Sequence, residues 1–186
     1  FYCPNEFSYR ITATSLCGNI YTSLSDTSIA QPANPLAAQK VEIVRTTVID
    51  DRNVLTEWLP PTLAPNRVAQ YNVMKSTDNV NYTEIATLPA NALSYIDYDT
   101  DVHNQDYFYR IDVVSDCELA GAPSNNGASI LLKSDWEREK TKLWWTPYTD
   151  WNTGVDFYII EQESPYGQWL PVKTVDGNEL NTILDE

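Results

Sequence analysis

Glycine, histidine and methionine are scarce: six Gly, one His and one Met in 186 residues. So few glycines exclude a collagen-like chain or a Gly-rich linker. The single His103 and three widely spaced cysteines, Cys3, Cys17 and Cys117, form no C-x-x-C pair and come close to excluding a Cys/His zinc site. An odd cysteine count leaves at least one thiol without an intrachain partner and fixes no redox compartment. No apolar run approaches the ~18 residues of a membrane-spanning helix. No basic-then-apolar opening marks a signal peptide. Basic residues are outnumbered, 12 Lys+Arg against 26 Asp+Glu, for a net charge of −14. That balance argues against nucleic acid and anionic membrane surfaces, which need Lys/Arg stripes. No G-x-S-x-G, P-loop, dinucleotide fingerprint or H-E-x-x-H occurs, so the expectation is a protein that is not an enzyme.

What is present is alternation. Hydrophobic residues make up 42% and aromatics 12%, enough for a real core. Runs over 41–48, 54–58, 71–74, 82–85 and 107–113 are rich in β-branched and aromatic residues and predict strands. Turn residues such as Asp50-Asp51-Arg52-Asn53, Pro60-Pro61 and Asp78-Asn79 bound them. The most helix-like piece, Trp136 to Lys142, has no apolar stripe and reads as a charged turn or edge. Short strands at even spacing with polar turns predict an all-β sandwich.

A repeat underlies the strands. Trp58-Leu-Pro-Pro matches Trp145-Thr-Pro-Tyr 87 positions on, and at that offset Val68 meets Val155, Tyr71 meets Tyr158 and Tyr82 meets Trp169. Asp97 meets Asp185 at 88. Phe7-Ser-Tyr-Arg-Ile-Thr-Ala-Thr-Ser-Leu-Cys17 matches Tyr107-Phe-Tyr-Arg-Ile-Asp-Val-Val-Ser-Asp-Cys117 at an offset of 100. The expected organisation is therefore half, whole, half: residues 1–35 as the C-terminal strands of a first unit, 36–133 as a complete unit, and 134–186 as the N-terminal strands of a third. A remnant of about 30 residues buries too little apolar surface to stand alone. Two explanations stay open. The chain is a window on a longer tandem array, or its terminal halves complement each other between chains in a head-to-tail pairing that does not close.

Residues 36–133 resemble a fibronectin type III domain. The resemblance rests on Trp58 before Pro60-Pro61, on Tyr71, and on Val102-x4-Tyr107 leading into Tyr109, Ile111 and Val113. It implies tandem fibronectin type III-like (immunoglobulin-like) β-sandwiches, each of seven strands with Greek-key connections. The usual Pro-Gly before the corner Tyr is replaced by Asn104-Gln105-Asp106. Ile-Leu-Leu-Lys133, Leu143-Trp-Trp-Thr-Pro-Tyr-Thr-Asp-Trp151 and Gly154-Val-Asp-Phe-Tyr158 also look like the repeats of large Bacteroidota surface proteins. That resemblance implies an extracellular, cell-surface location, export by the type IX secretion system and a role as a gliding-motility adhesin.

The candidate residues follow. Trp58, Tyr71, Tyr107, Trp145 and Tyr158 are expected in the core. Trp144 and Trp145 alternate, so one should face outward; Trp144 and Trp151 are the candidates for stacking on a glycan, against a competing reading in which the extra aromatics cover an inter-domain joint. Asp97-Tyr-Asp-Thr-Asp101 presents alternate carboxylates, and with Asp99 and Asp106 it is a weak calcium candidate, against a solvated acidic turn. It is not an EF-hand, because the sixth and twelfth places are Val102 and Phe108. No other cofactor is indicated. In the resembled fold, Cys3 and Cys117 lie on loops facing each other across an inter-domain joint, so a Cys3–Cys117 disulfide could staple two units. Cys3 and Cys17 flank a strand with ends ~30 Å apart and are poor partners. The expected partners are neighbouring domains of the same long chain. A surface glycan, or a secretion or motility assembly carrying the chain, are the alternatives.

Overall fold

The computed structural model describes residues 7–15, 21–30, 40–62, 67–116, 118 and 120–185. All regular elements among them are strands. The first four are short: β1 (Phe7–Tyr9), β2 (Thr12–Ser15), β3 (Tyr21–Leu24) and β4 (Ser28–Ala30). β1 pairs with β4 and β2 with β3, both antiparallel, so they form one two-stranded ribbon.

The central sandwich uses β5 (Glu42–Ile49), β6 (Asn53–Leu59), β7 (Val68–Ser76), β8 (Thr83–Pro89), β9 (Ser94–Asp97), β10 (Phe108–Ser115) and β11 (Gly127–Ala128). Its sheets are β5-β6-β9 and β11-β10-β7-β8, three strands facing four, the all-β sandwich that the resemblance implied. The alternation read from the sequence is the alternation seen. Val54, Thr56 and Trp58 of β6 point inward, as do Tyr109, Ile111 and Val113 of β10. Trp58 packs edge-on against Tyr71, with ring centroids 5.6 Å apart. Val41, Ile43, Val73 and Val102 complete the core. The corner forms without Pro-Gly: the Asp101 N–H donates to the buried Tyr107 hydroxyl at 2.8 Å. Asp50 and Asp51 both take left-handed φ, 52° and 54°, to reverse the chain between β5 and β6.

The last sandwich is built from β12 (Leu132–Glu137), β13 (Lys140–Trp145), β14 (Phe157–Glu163), β15 (Trp169–Asp176) and β16 (Asn181–Asp185). Its sheets are β12-β13-β16 and β14-β15. The segment read as a charged turn or edge is the β12–β13 hairpin, whose two loop residues Arg138 and Glu139 have φ of 52° and 63°.

The two sandwiches share one register. β6 pairs with β9 through Thr56↔Tyr95, and β13 with β16 through Leu143↔Thr182, each residue 87 positions on. β7 carries a bulge against β8 at Val73/Met74, and β14 carries one against β15 at Ile160/Glu161, again 87 apart. Trp145 and Tyr158 repeat the Trp58–Tyr71 contact at 5.4 Å and the same interplanar angle of 67°. One sequence match is corrected by this register. Asp97 pairs with Val54, and the equivalent partner of Thr141 is Leu184, so Asp185 lies one place beyond the position of Asp97.

Candidate functional site: the joint between the central and last sandwiches

β11 ends at Ala128 and β12 begins at Leu132, so residues 129–131 alone link the two sandwiches. Ser129 and Leu131 of the link are anchored nearby, and so is Lys133 just beyond it. Ser129 N–H donates to the Tyr107 carbonyl at 2.9 Å, and Ser129 Oγ accepts from Tyr107 N–H at 2.8 Å. Leu131 N–H donates to Thr146 Oγ1, and Thr146 N–H returns a bond to the Leu131 carbonyl. Lys133 Nζ reaches the His103 carbonyl at 2.6 Å, tying β12 back to the corner loop of the central sandwich.

The loop from 146 to 156 folds over the outer strand of the central sandwich. Strand β5 is an edge, with backbone groups open on one side. The loop covers them. Trp151 Nε1–H donates to the Val44 carbonyl at 3.0 Å. Thr46 N–H donates to the Tyr148 hydroxyl at 3.1 Å. The Tyr148 and Trp151 rings pack edge-on at 4.8 Å. Asn125 fills the remaining gap: its Oδ1 accepts from Ile43 N–H, and its Nδ2 donates to the carbonyls of Ile43 and Asp150.

Asp150 lies at the centre and is 3% exposed. Its Oδ1 accepts from the Ala128 N–H. Its Oδ2 is buried and accepts no hydrogen bond, and Thr46 Oγ1 is buried and unpaired beside it. Both atoms crowd Gly127. A Cβ there would stand 2.1 Å from Thr46 Oγ1 and 3.4 Å from Asp150 Oδ2, so only glycine fits. Burial pushes the Asp150 carboxyl above its usual range, and the Ala128 N–H pulls it partly back. Burial likewise raises the Tyr148 phenol, which therefore stays protonated. What this arrangement can do is mechanical. It fixes one sandwich against the next through several hydrogen bonds and one pair of rings.

The other candidate residues fall as follows. Trp58, Tyr71, Tyr107 and Trp145 are buried, and Tyr158 is half-buried. Trp144 faces outward, 40% exposed, with Lys142 Nζ 5.8 Å from its ring. Trp151 is half-exposed, and its indole N–H is engaged by the Val44 carbonyl. The four aspartates are not gathered. Asp97 is buried, accepts from the Tyr109 hydroxyl at 2.8 Å and pairs with Lys75 at 2.7 Å. Its Oδ1 caps the Asp99 N–H, while Asp101 holds the Asn104 amide. Asp106 accepts from the Gln105 amide. Among the described residues no three Asp, Glu, His or Cys side chains converge as metal ligands. Cys3, Cys17 and Cys117 lie outside the described residues, and with them the Cys3–Cys117 pairing. Sequence reasoning missed Asp150, Asn125 and Gly127. The one available signal was the Pro147-to-Trp151 stretch, dense in aromatics where a linker should be polar.

No family model matches the chain. Among solved structures it is similar to a fibronectin-III-like protein from Clostridium thermocellum, at 19% identity and a TM-score of 0.41, covering 49% of this chain and 88% of that one. A two-domain fibronectin type III segment of chicken tenascin gives 18% identity and a TM-score of 0.37, over 79% of this chain and 82% of that one. A β-1,2-glucanase from Parabacteroides distasonis gives 18% identity and a TM-score of 0.41, and this chain spans 16% of its length. At these values no function passes from them to this chain.

Proposed function

We propose that this chain is a non-catalytic structural segment of a secreted or cell-surface protein, one that spaces and displays other domains. In this reading residues 36–133 form the complete unit, 1–35 the end of the one before and 134–186 the start of the one after. The observation that carries the proposal is the joint. A spacer must hold direction as well as length, and a three-residue link strapped at Val44, Thr46 and Ala128 does both. The net charge of −14 keeps such an array soluble and self-repelling. The resemblance of the Trp144–Tyr158 region to Bacteroidota surface repeats supports a place in an exported adhesin of gliding motility.

The experiment is small-angle scattering on the intact chain and on a Tyr148→Ala/Trp151→Ala double variant. A spacer gives one narrow set of distances between the sandwiches, and the variant broadens it. Equal, broad distributions for both proteins would remove the basis of this reading. Surface labelling of the source cells, with and without the type IX export route, tests the adhesin assignment separately.

A further inference from the structure

The strap over β5 has a giving side and a receiving side, and the repeat offers a counterpart of each. The giving side is the loop Trp145-Thr-Pro-Tyr-Thr-Asp-Trp151. The central sandwich has a loop of equal length, because Trp58 and Tyr71 are as far apart in sequence as Trp145 and Tyr158. At the places of Tyr148, Asp150 and Trp151 it carries Pro61, Leu63 and Ala64. None of these side chains has a donor for a carbonyl or an acceptor for an N–H. The central sandwich therefore cannot strap the unit before it by these bonds.

The receiving side is Asn125, Gly127 and Ala128, and its counterpart lies in the N-terminal ribbon. Ile111 N–H donates to Ser124 Oγ at 2.9 Å, and Ile11 N–H donates to Ser25 Oγ at 2.8 Å. Tyr109 lies opposite Gly127, and Tyr9 lies opposite Ser28. That register puts Asp26 at the place of Asn125 and Ser28 at the place of Gly127. Both exchanges remove what the strap needs. Asn125 Nδ2 donates to the Ile43 and Asp150 carbonyls, the second at 3.1 Å; a carboxylate has no N–H to give and would set a charged oxygen against them. Gly127 has no Cβ where Thr46 Oγ1 and Asp150 Oδ2 crowd it, and serine has one.

The two sides thus vary together. Where the loop carries Tyr, Asp and Trp, the unit before it carries Asn and Gly. Where the loop carries Pro, Leu and Ala, the ribbon before it carries Asp and Ser. Specificity of this kind comes from the groups that a mismatched neighbour would leave buried and unpaired.

We propose that the loop Trp-x-Pro-Tyr-x-Asp-Trp of one unit and the Asn-x-Gly-Ala segment of the unit before it are a recognition pair, which decides which neighbours in the array can be fixed to each other. The partner of the receiving surface is a following unit that bears this loop, and no other kind. The joint after the central sandwich is of the fixed kind, and the joint before it is not held by this strap. The proposal rests on the spacer reading and adds to it which units can be so joined.

Amide hydrogen exchange on the full chain tests it. Asn125→Asp puts the ribbon's residue into the receiving side and keeps the oxygen that accepts from Ile43 N–H. Asp150→Leu with Trp151→Ala puts the central loop's residues into the giving side. Each change should speed exchange of the Thr46 and Ala128 amides by about tenfold. All three substitutions together should do no more, because either side alone already parts the pair. Amides of the β7–β10 ladder should keep the parent's rates. Fast exchange at Thr46 and Ala128 in the parent itself would remove the spacer reading, and this proposal with it. Slow parent amides that stay slow in Asn125→Asp overturn the recognition pair alone. So do rates that multiply in the triple variant, because Asn125 would then serve Ile43 and not the loop. Faster exchange along the β7–β10 ladder in Asn125→Asp overturns it for the same reason.

Discussion

Asp150 and Ala128 meet across the joint in one buried hydrogen bond, backbone N–H to carboxylate oxygen. Replacing Asp150 with Ala leaves the Ala128 N–H buried and unpaired, a cost of about 1–3 kcal/mol. Asp150→Asn keeps an acceptor and should lose much less. Amide hydrogen exchange at Ala128 reads this directly: fast in the Ala variant, slow in the Asn variant and in the parent.

The same carboxyl gives the joint a pH dependence. Burial raises its folded-state value above the ordinary one. A folded chain that holds the proton more tightly gains stability as pH falls from above the raised value toward the unfolded value near ~3.9, and gains nothing further below it. Mild acidification should therefore raise the melting temperature of the parent relative to Asp150→Asn. A parent that loses stability against the Asn variant as pH falls would contradict this sign.

Trp58 and Trp145 occupy matched positions and should not matter equally. Trp58→Ala empties a closed core and should cost about 3–5 kcal/mol, comparable with a small domain's whole stability. Trp145 borders a groove between the two sheets of the last sandwich, so solvent reaches the space its ring leaves. Trp145→Ala should cost clearly less. Urea titration of both variants, followed by circular dichroism, separates the two values.

Tyr107→Phe isolates the corner. It removes one bond, from the Asp101 N–H to the phenol oxygen, and keeps the ring in the core. The expected loss is about 0.5–1.5 kcal/mol. A neutral result in thermal unfolding would mean that the corner is held by its backbone alone.

The legible part of this fold was its periodic part. Alternation placed β6 and β10, and the repeat of Trp and Tyr anticipated the matching Trp–Tyr contacts, because core positions are dictated by a strand period of two. Of the joint only the aromatics were legible, read as one of two alternatives to cover an inter-domain joint, where Tyr148 and Trp151 do lie; its buried polar partners were not. Asn125 bonds Ile43 across 82 positions of chain, and Asp150 bonds Ala128 across 22. No local pattern marks an aspartate as the one that will be buried. The offset of Asp97 was misjudged by one for a related reason. A carboxylate was matched to a carboxylate, whereas the partners of Asp97 are not kept in the last sandwich: Lys75 and Asp97 correspond to Gln162 and Leu184. The ion pair was exchanged as a unit, which only the register reveals.

The strap on β5 also gives tension a detour. A pull entering the central sandwich at Glu42 reaches Val44 and Thr46 within two to four residues, and from there passes through Trp151 and Tyr148 into the last sandwich without crossing the core of Trp58 and Tyr71. Under load the joint bonds should part first and re-form on release, while the ladder between β7 and β10 stays whole. Force spectroscopy should show a small, reversible yield before either sandwich unravels, absent when Tyr148 and Trp151 are both alanine.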